Sequence, residues 1–342
     1  MKKRPTINDI AQQAGVSKRT VSRVINGATN VNAKTRENIQ QIIREQGFSP
    51  DKKARGLAVR RSYLLGIIYD NPGTFYIDQV QEGVLQVITE KGYELIVHPC
   101  RYQDAGFVDN CTGFVHRSNV DGVIVLPPVS ESAALADAFN RHGVNYVRMA
   151  SVALDEPYRM VISDDRHAVA DLALYLVAQG HKDIAVISGP NAYSSTTERL
   201  EGFCHALHTL GITLSANRII EGDNTYQSGI ACGRALLTQD PIPDAIFANN
   251  DDMAIGVIRA AHDLKINVPQ SLSVVGFDDN LMAARMLPSL TTIRRPVRDM
   301  AASAAQKLIA QIENLPADNI ATQLVKAQLI VRESTRKKSD FS

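Results

Sequence analysis

Apolar residues at the start of the chain recur at helical spacing. Ile7, Ile10, Ala11 and Ala14 share one helix face, and Thr6-Ile7-Asn8-Asp9 has the form of a capping box, so a first helix is expected to run to about Gln13. Gly15 offers a freely turning position, Ser17 an N-cap, and Val21, Val24 and Ile25 the buried stripe of a short second helix that stops at Asn26-Gly27. A third helix is expected from about Ala33 to Gln46, with Ile39, Ile42 and Ile43 inward. The arrangement is that of a helix-turn-helix.

From Tyr63 the pattern changes to short apolar runs alternating with amphipathic stretches. The runs are Leu64–Ile68, Glu94–Val97, Gly122–Leu126 and Val144–Val147, with helices over Ile77–Thr89 and Ala133–Arg141 between them. A second series follows at Ile184–Ile187, Arg218–Ile220, Ala245–Ala248 and Ser273–Phe277. Strands alternating with helices imply parallel sheets covered on both faces. The expected fold is therefore an all-α helix-turn-helix headpiece followed by an α/β body of two doubly wound parallel-sheet lobes. Val297 to Ile312 reads as an amphipathic helix with Met300, Ala304, Leu308 and Ile312 inward, either on a dimer surface or over a core.

Charge sharpens the division. The chain has 342 residues and a formal net charge of only +1, yet Met1 to Arg61 holds 14 Lys+Arg against 4 Asp+Glu. The rest holds 23 against 32, out of totals of 37 and 36. A +10 segment joined to a −9 body is the charge split of a nucleic-acid module fused to a part that does not bind it. Cys100, Cys111, Cys204 and Cys232 lack ligand spacing and read as reduced thiols, so no metal or cofactor is expected. The basic start leads into polar residues, and no apolar run is long enough to span a bilayer; a cytoplasmic protein without membrane contact is expected.

The second helix carries Lys18, Arg19, Thr20, Ser22 and Arg23 on its outer face, as a recognition helix in a DNA major groove requires. Lys18, Arg19 and Arg23 are the candidate base readers, since Lys and Arg pair with guanine O6 and N7. Lys34, Thr35 and Arg36, near the start of the third helix, are placed to meet phosphates. In the body, ligands of parallel sheets bind beyond the carboxyl ends of the strands. There stand Asp70-Asn71-Pro72-Gly73-Thr74-Phe75-Tyr76, Asn249-Asn250-Asp251-Asp252 and Asp278-Asp279-Asn280, groups suited to a polyhydroxylated ligand. Helix capping alone would account for any single one of them.

Thr6-Ile7-Asn8-Asp9-Ile10-Ala11, Ala14-Gly15-Val16-Ser17, Thr20 to Asn26 and Ala33 to Arg36 resemble the headpiece of the lactose repressor (LacI) family. Gly180-His181, Glu198 to Phe203, Asn250-Asp251, Met253 to Gly256, Val275 to Asp279 and Pro288 to Thr292 resemble its periplasmic-binding-protein-like effector domain. The likeness spans nearly the whole chain and implies a headpiece over 1–47, a hinge over 48–61 and an effector-binding and dimerisation domain over 62–342. Its first lobe would be about 62–161 and 294–324, its second about 162–293 and 325–334. The implied DNA contacts are Thr6, Ser17, Lys18, Arg19, Thr20, Ser22, Arg23, Asn26, Lys34, Thr35 and Arg36. In the hinge they are Ala54 and Leu57, the latter wedged into the minor groove, although Gly56 lowers helix propensity by about 1 kcal/mol. The implied effector contacts are Asn71, Phe75, Arg199, Asn224, Asn250 and Asp278, with Arg101 on a poorer local match. Between Arg148 and Val161, and at Leu126-Pro127-Pro128, the chain departs from that family's better-known members.

The resulting expectation is a dimeric repressor of carbohydrate-utilisation genes, binding a pseudo-palindromic operator under control of a sugar-like effector. With no apolar heptads after Arg332, a tetramerisation coil is not expected. A transport-type solute-binding protein is the alternative that the body alone would fit. An enzyme using Asp251, Asp252, Asp278 and Asp279 is disfavoured, because no GxSxG, GxGxxG or P-loop accompanies them.

Overall fold

The computed structural model describes residues 5–25, 28, 30–48, 61–70, 73–315 and 326–336. The chain divides into two units, Met1–Tyr63 and Leu64–Ser342. Asn26, Ala54, Leu57 and Asn71, with most of the hinge, lie outside the described residues.

The first unit is a three-helix cluster. Helix α1 (Ile7–Gln13) begins with the expected capping box, in which Thr6 N–H donates to Asp9 Oδ2 at 2.7 Å and the Thr6 hydroxyl accepts from Asp9 N–H. Gly15, at φ +66°, turns the chain into α2 (Lys18–Ile25), whose first turn is held by Thr20 N–H donating to Ser17 Oγ. Helix α3 (Ala33–Gln46) is capped by Asn32 and ends at left-handed Gly47. Ile10, Ala11, Val21, Val24 and Ile39 are buried together, and Val16, Ile42, Ile43 and Phe48 close the edges. One stripe per helix thus makes a core and frees the opposite face of α2.

The second unit has two α/β lobes. In the first, β1 (Leu64–Tyr69), α4 (Thr74–Ile88), β2 (Glu94–Pro99), α5 (Phe107–Ser118), β3 (Gly122–Val125), α6 (Ala133–Arg141), β4 (Asn145–Ala150) and β5 (Met160–Ile162) follow in order. They build a parallel sheet in the order β2-β1-β3-β4-β5. The second lobe contains α7 (Asp165–Ala178), β6 (Ile184–Ser188), α8 (Ser194–Thr209), β7 (Ile219–Glu221), α9 (Tyr226–Leu237), β8 (Ala245–Ala248), α10 (Asp251–Asp263), β9 (Ser273–Asp278) and β10 (Thr291–Arg294). Its sheet order is β11-β10-β9-β8-β6-β7, parallel except for the antiparallel edge strand β11 (Gln328–Ile330). Helices cover both faces, as strands apolar on both sides require: α9 and α10 close one core layer, α7 and α8 the other.

Helix α11 (Val297–Glu313) returns to the first lobe and packs on α4 and β4. Met300, Ala304, Leu308 and Ile312 are buried inside this chain, so this stripe of the helix covers a core. It also secures the divergent segment Arg148–Val161. Buried Lys307 donates to the Pro157 and Met160 carbonyls at 2.8 and 2.6 Å, and Gln311 donates to those of Tyr146 and Tyr158. Burial lowers the Lys307 pKa.

Three strands were not expected from sequence: β5, β10 and β11. Each has only three or four residues, and Thr291-Thr292-Ile293-Arg294 shows no apolar run. Hydrogen bonding to an existing sheet, not a local pattern, makes them strands.

Candidate functional site

On the outer face of α2, Lys18, Arg19 and Arg23 are exposed and form no ion pair with any described residue. Lys34 is exposed at the start of α3, where its N–H is taken by the Asn32 cap. Other members of the expected set have internal work. Thr6 and Ser17 hold helix starts, the Thr20 hydroxyl lies 2.9 Å from Ser17 Oγ, and Arg36 donates to the Ala28 carbonyl at 2.6 Å across the α2–α3 turn. Ser22 and Thr35 are half-buried. The cations left to meet a partner are three on α2 and Lys34 at the start of α3, and the cluster on α2 is the property a groove-reading helix needs.

In the body a cavity of about 200 Å³ opens between the lobes at the carboxyl ends of seven strands. The first lobe contributes Asp70, Phe75 and Tyr76 after β1 and Pro127 and Pro128 after β3. The second contributes Tyr193 and Arg199 after β6, Asp223 and Asn224 after β7, Asn249 to Asp252 after β8, and Asp278 and Asn280 after β9; Arg295 follows β10. Phe75, Arg199, Asn224, Asn250 and Asp278 therefore come together as expected. Arg101, exposed in the turn after β2, is not among the lining residues.

Arg199 is clamped on three sides. Its Nε donates to Asp165 Oδ2 at 2.8 Å, an Nη donates to the Asn249 carbonyl at 2.6 Å, and the guanidinium lies 3.7 Å from the Phe277 ring centre. Burial alone would raise the Asp165 pKa, but Arg199 and then Arg295 outweigh it and hold the carboxyl below its usual range. Arg295 donates through Nε and Nη to Asp278 Oδ1 at 3.0 and 2.6 Å. Burial opposes its charge, yet Asp278 and Asp165 raise its pKa further. Beside it Tyr76 is pushed up to about 12 by burial, so its phenol stays a neutral donor.

Backbone geometry aims the carboxylates. Asp278 has φ +116° and Asp279 φ +55°, two uncommon conformations in succession. The turn sends Asp278 to the cleft and Asp279 to Arg294 and Arg332, each at 2.6 Å. Asn224, at φ +65°, accepts from Asn249 Nδ2, and its carbonyl accepts from Asn250 Nδ2, both at 2.8 Å. Asn250 also caps α10 through Met253 N–H. A Cβ on Gly189 would lie 2.5 Å from Asn249 Nδ2 and 2.8 Å from Asn224 Oδ1, so only glycine lets this asparagine cluster form.

Asp251 is buried, accepting from Asn280 N–H and the Thr292 hydroxyl; burial, then the Asp278 charge, raises its pKa well above the usual carboxylate range. Across the mouth of the cleft, Glu131 Oε2 accepts from both the N–H and the hydroxyl of Ser194, each at 2.9 Å, joining the 3-10 turn Val129–Glu131 of the first lobe to α8 of the second. Among the described residues no group of three or more His, Cys, Asp or Glu could hold a metal ion, and no helix is long and apolar enough to cross a membrane.

Sequence reasoning placed Tyr76 and Asn249 in strand-end segments suited to a ligand, without naming them among the contacts, and did not single out Tyr193 or Arg295. Arg295 follows a strand with no sequence signature.

Comparison with known proteins agrees with both halves. Residues 6–51 match the profile of bacterial regulatory proteins of the lacI family, and residues 173–335 that of a periplasmic binding protein-like domain. The chain is 31% identical over 336 residues to catabolite control protein A of Priestia megaterium, covering 97% of this chain and 99% of that protein. It is likewise 31% identical over 334 residues to the HTH-type transcriptional repressor PurR of Pasteurella multocida, covering 97% and 98%. Among solved structures, the lac repressor dimer bound to operator and the anti-inducer ONPF superposes with a TM-score of 0.79 at 28% identity, covering 98% of this chain and all of that one. The transcriptional regulator CelR–cellobiose complex superposes with a TM-score of 0.72, also at 28% identity, over 97% of this chain and all of the other. These relatives carry the headpiece and the two-lobed body in one chain, which leaves a transport-type binding protein no counterpart for residues 6–51. With both parts matched along almost its whole length, the chain belongs to the lacI family of bacterial regulatory proteins.

Proposed function

We propose that this regulator is a dimeric repressor of carbohydrate-utilisation genes whose affinity for a pseudo-palindromic operator is set by a small sugar-like effector bound between the lobes. Lys18, Arg19 and Arg23 read bases, Lys34 and Thr35 meet phosphates, and Thr6, Ser17, Thr20 and Arg36 hold the helices that present them. Ser22 and Asn26 complete the reading face, while residues 48–61, with Ala54 and Leu57, link headpiece to body. In the cleft Arg199 and Asp278 hold hydroxyl groups, Asn224 and Asn250 contribute amides, and Phe75 offers a ring face. The protein acts where DNA is, in the cytoplasm, and performs no chemistry on its ligand.

One observation carries this reading. Carboxylates, amides, two guanidinium groups and three aromatic rings converge at the carboxyl ends of seven strands, in a chain that also presents an exposed cationic helix. A ligand gripping both lobes favours one lobe arrangement, and the operator responds through differential affinity for that arrangement. Complexes of structural relatives with cellobiose and with ONPF support the effector class.

The test is thermal stability in the presence of mono- and disaccharides. One of them should raise Tm, the effect should vanish in Asp278→Ala, and it should persist in Asp109→Ala, whose side chain is exposed on α5. Equal loss in both variants would refute the assignment.

A further inference from the structure

We infer that the cleft takes a neutral or positively charged polyhydroxylated ligand and rejects sugar phosphates and sugar acids. This rests on the proposed function, since it concerns the same cleft.

Among the described lining residues only Arg199 and Arg295 carry positive charge, and neither is available to balance an incoming anion. Arg199 is matched by buried Asp165 and stacked on Phe277; Arg295 spends two donors on Asp278. Besides Asp251, which is buried and whose pKa is raised so that it holds a proton, three further carboxylates on the lining have no cationic partner among the described residues. Asp70 accepts from the Tyr102 N–H, Asp223 from the Thr225 N–H and hydroxyl, and Asp252 from an Asn280 amide. Neutral donors leave their charge uncancelled.

The opposite wall offers no remedy, because Phe75, Tyr76, Pro127 and Pro128 present rings and no cation. Two matched pairs therefore face three unmatched carboxylates. An anion brought among them loses its hydration and meets like charge where screening is weak, whereas hydroxyl groups can donate to the free carboxylate oxygens. Burial, followed by the Asp278 charge, raises the Asp252 pKa, as expected of a carboxylate without a cation beside it.

The experiment is a calorimetric and thermal-stability panel on the full-length protein. Each of several hexoses and disaccharides is offered as the neutral sugar, the 2-amino sugar, the 6-phosphate and the uronate, with inorganic phosphate alone as a further probe. Stabilisation should come from a neutral or amino form, with the phosphate and uronate of the same stereochemistry about tenfold weaker or worse. Asp252→Asn and, independently, Asp70→Asn should narrow that gap. A phosphate or uronate that binds more tightly than its neutral counterpart would overturn the inference while leaving the cleft as the effector site. If no form of any sugar acts, the effector reading itself fails and this inference with it.

Discussion

Arg199 and Asp165 form a fully buried ion pair at 2.8 Å, and through it the floor of the cleft is tied to the first residue of the second lobe after the chain crosses from the first. The second crossing, after β10, is tied in the same way by Arg295 and Asp278. Ligand-facing Arg199 and Asp278 are thus each paired with a residue at a crossing, Asp165 and Arg295. A ligand hydroxyl at Asp278 or Arg199 acts directly on the crossings.

Removing one partner of the buried pair strands the other. Arg199→Ala should cost about 3 kcal/mol or more of stability by urea denaturation, because Asp165 is left charged and buried. Asp278 is partly exposed, and asparagine keeps an acceptor for Arg295. Asp278→Asn should therefore hold stability within about 1 kcal/mol while weakening the ligand about tenfold. Equal stability losses in both variants would argue against the clamp.

The Glu131–Ser194 contact is a latch between lobes. Glu131→Ala should lower ligand-free stability by about 1–3 kcal/mol and enlarge the radius of gyration of the body in scattering. Glu131→Gln keeps an oxygen for the same two donors and should behave close to wild type. An Ala variant with unchanged stability would remove the latch.

Asp251 makes stability depend on pH. Its pKa is raised in the folded state, so the native protein holds a proton that the unfolded chain releases. Its contribution is fully present below the ordinary carboxylate pKa and is lost as pH rises through the raised value. Asp251→Asn can still accept from Asn280 N–H and meet the Thr292 hydroxyl, so it should abolish this component. Denaturation curves from pH 4 upward should show wild type losing stability relative to the variant; parallel curves would contradict the assignment.

On the DNA side, base readers and phosphate contacts separate by their signatures. Arg19→Ala should relax preference at one base position by about 1–3 kcal/mol. Lys34→Ala should weaken all duplexes alike and reduce the slope of log affinity against log salt by about 1. The same effect on specificity from both would sink the division.

The three headpiece helices were legible almost to the residue, because capping boxes, a turn glycine and single apolar stripes are local signals. Long strands such as Leu64–Tyr69 and Ser273–Asp278 were legible for a similar reason: burial on both faces leaves continuous apolar runs. Short edge strands were not, since β10 and β11 owe their state to neighbours distant in sequence. The site followed the same rule. Phe75, Asn250 and Asp278 could be placed by their position at strand ends, and Arg199 by resemblance. Arg295 could not, because its role comes from a pairing with Asp278 that only the folded sheet creates. Thr6 and Ser17 were legible as helix caps, but Arg36 could not be told from the exposed cations Lys18 and Arg19, because its bond to the Ala28 carbonyl had first to be seen.

The central claim joins the two halves: a ligand in the cleft changes how strongly the headpiece holds a specific duplex. Full-length protein should select an inverted repeat from random DNA, and its affinity for that duplex, measured by fluorescence anisotropy at fixed salt, should change about tenfold or more when the stabilising sugar is added. In Asp278→Asn the same sugar concentration should leave the affinity unchanged. No preference over scrambled DNA, or a wild-type affinity indifferent to every ligand that raises Tm, would contradict the account.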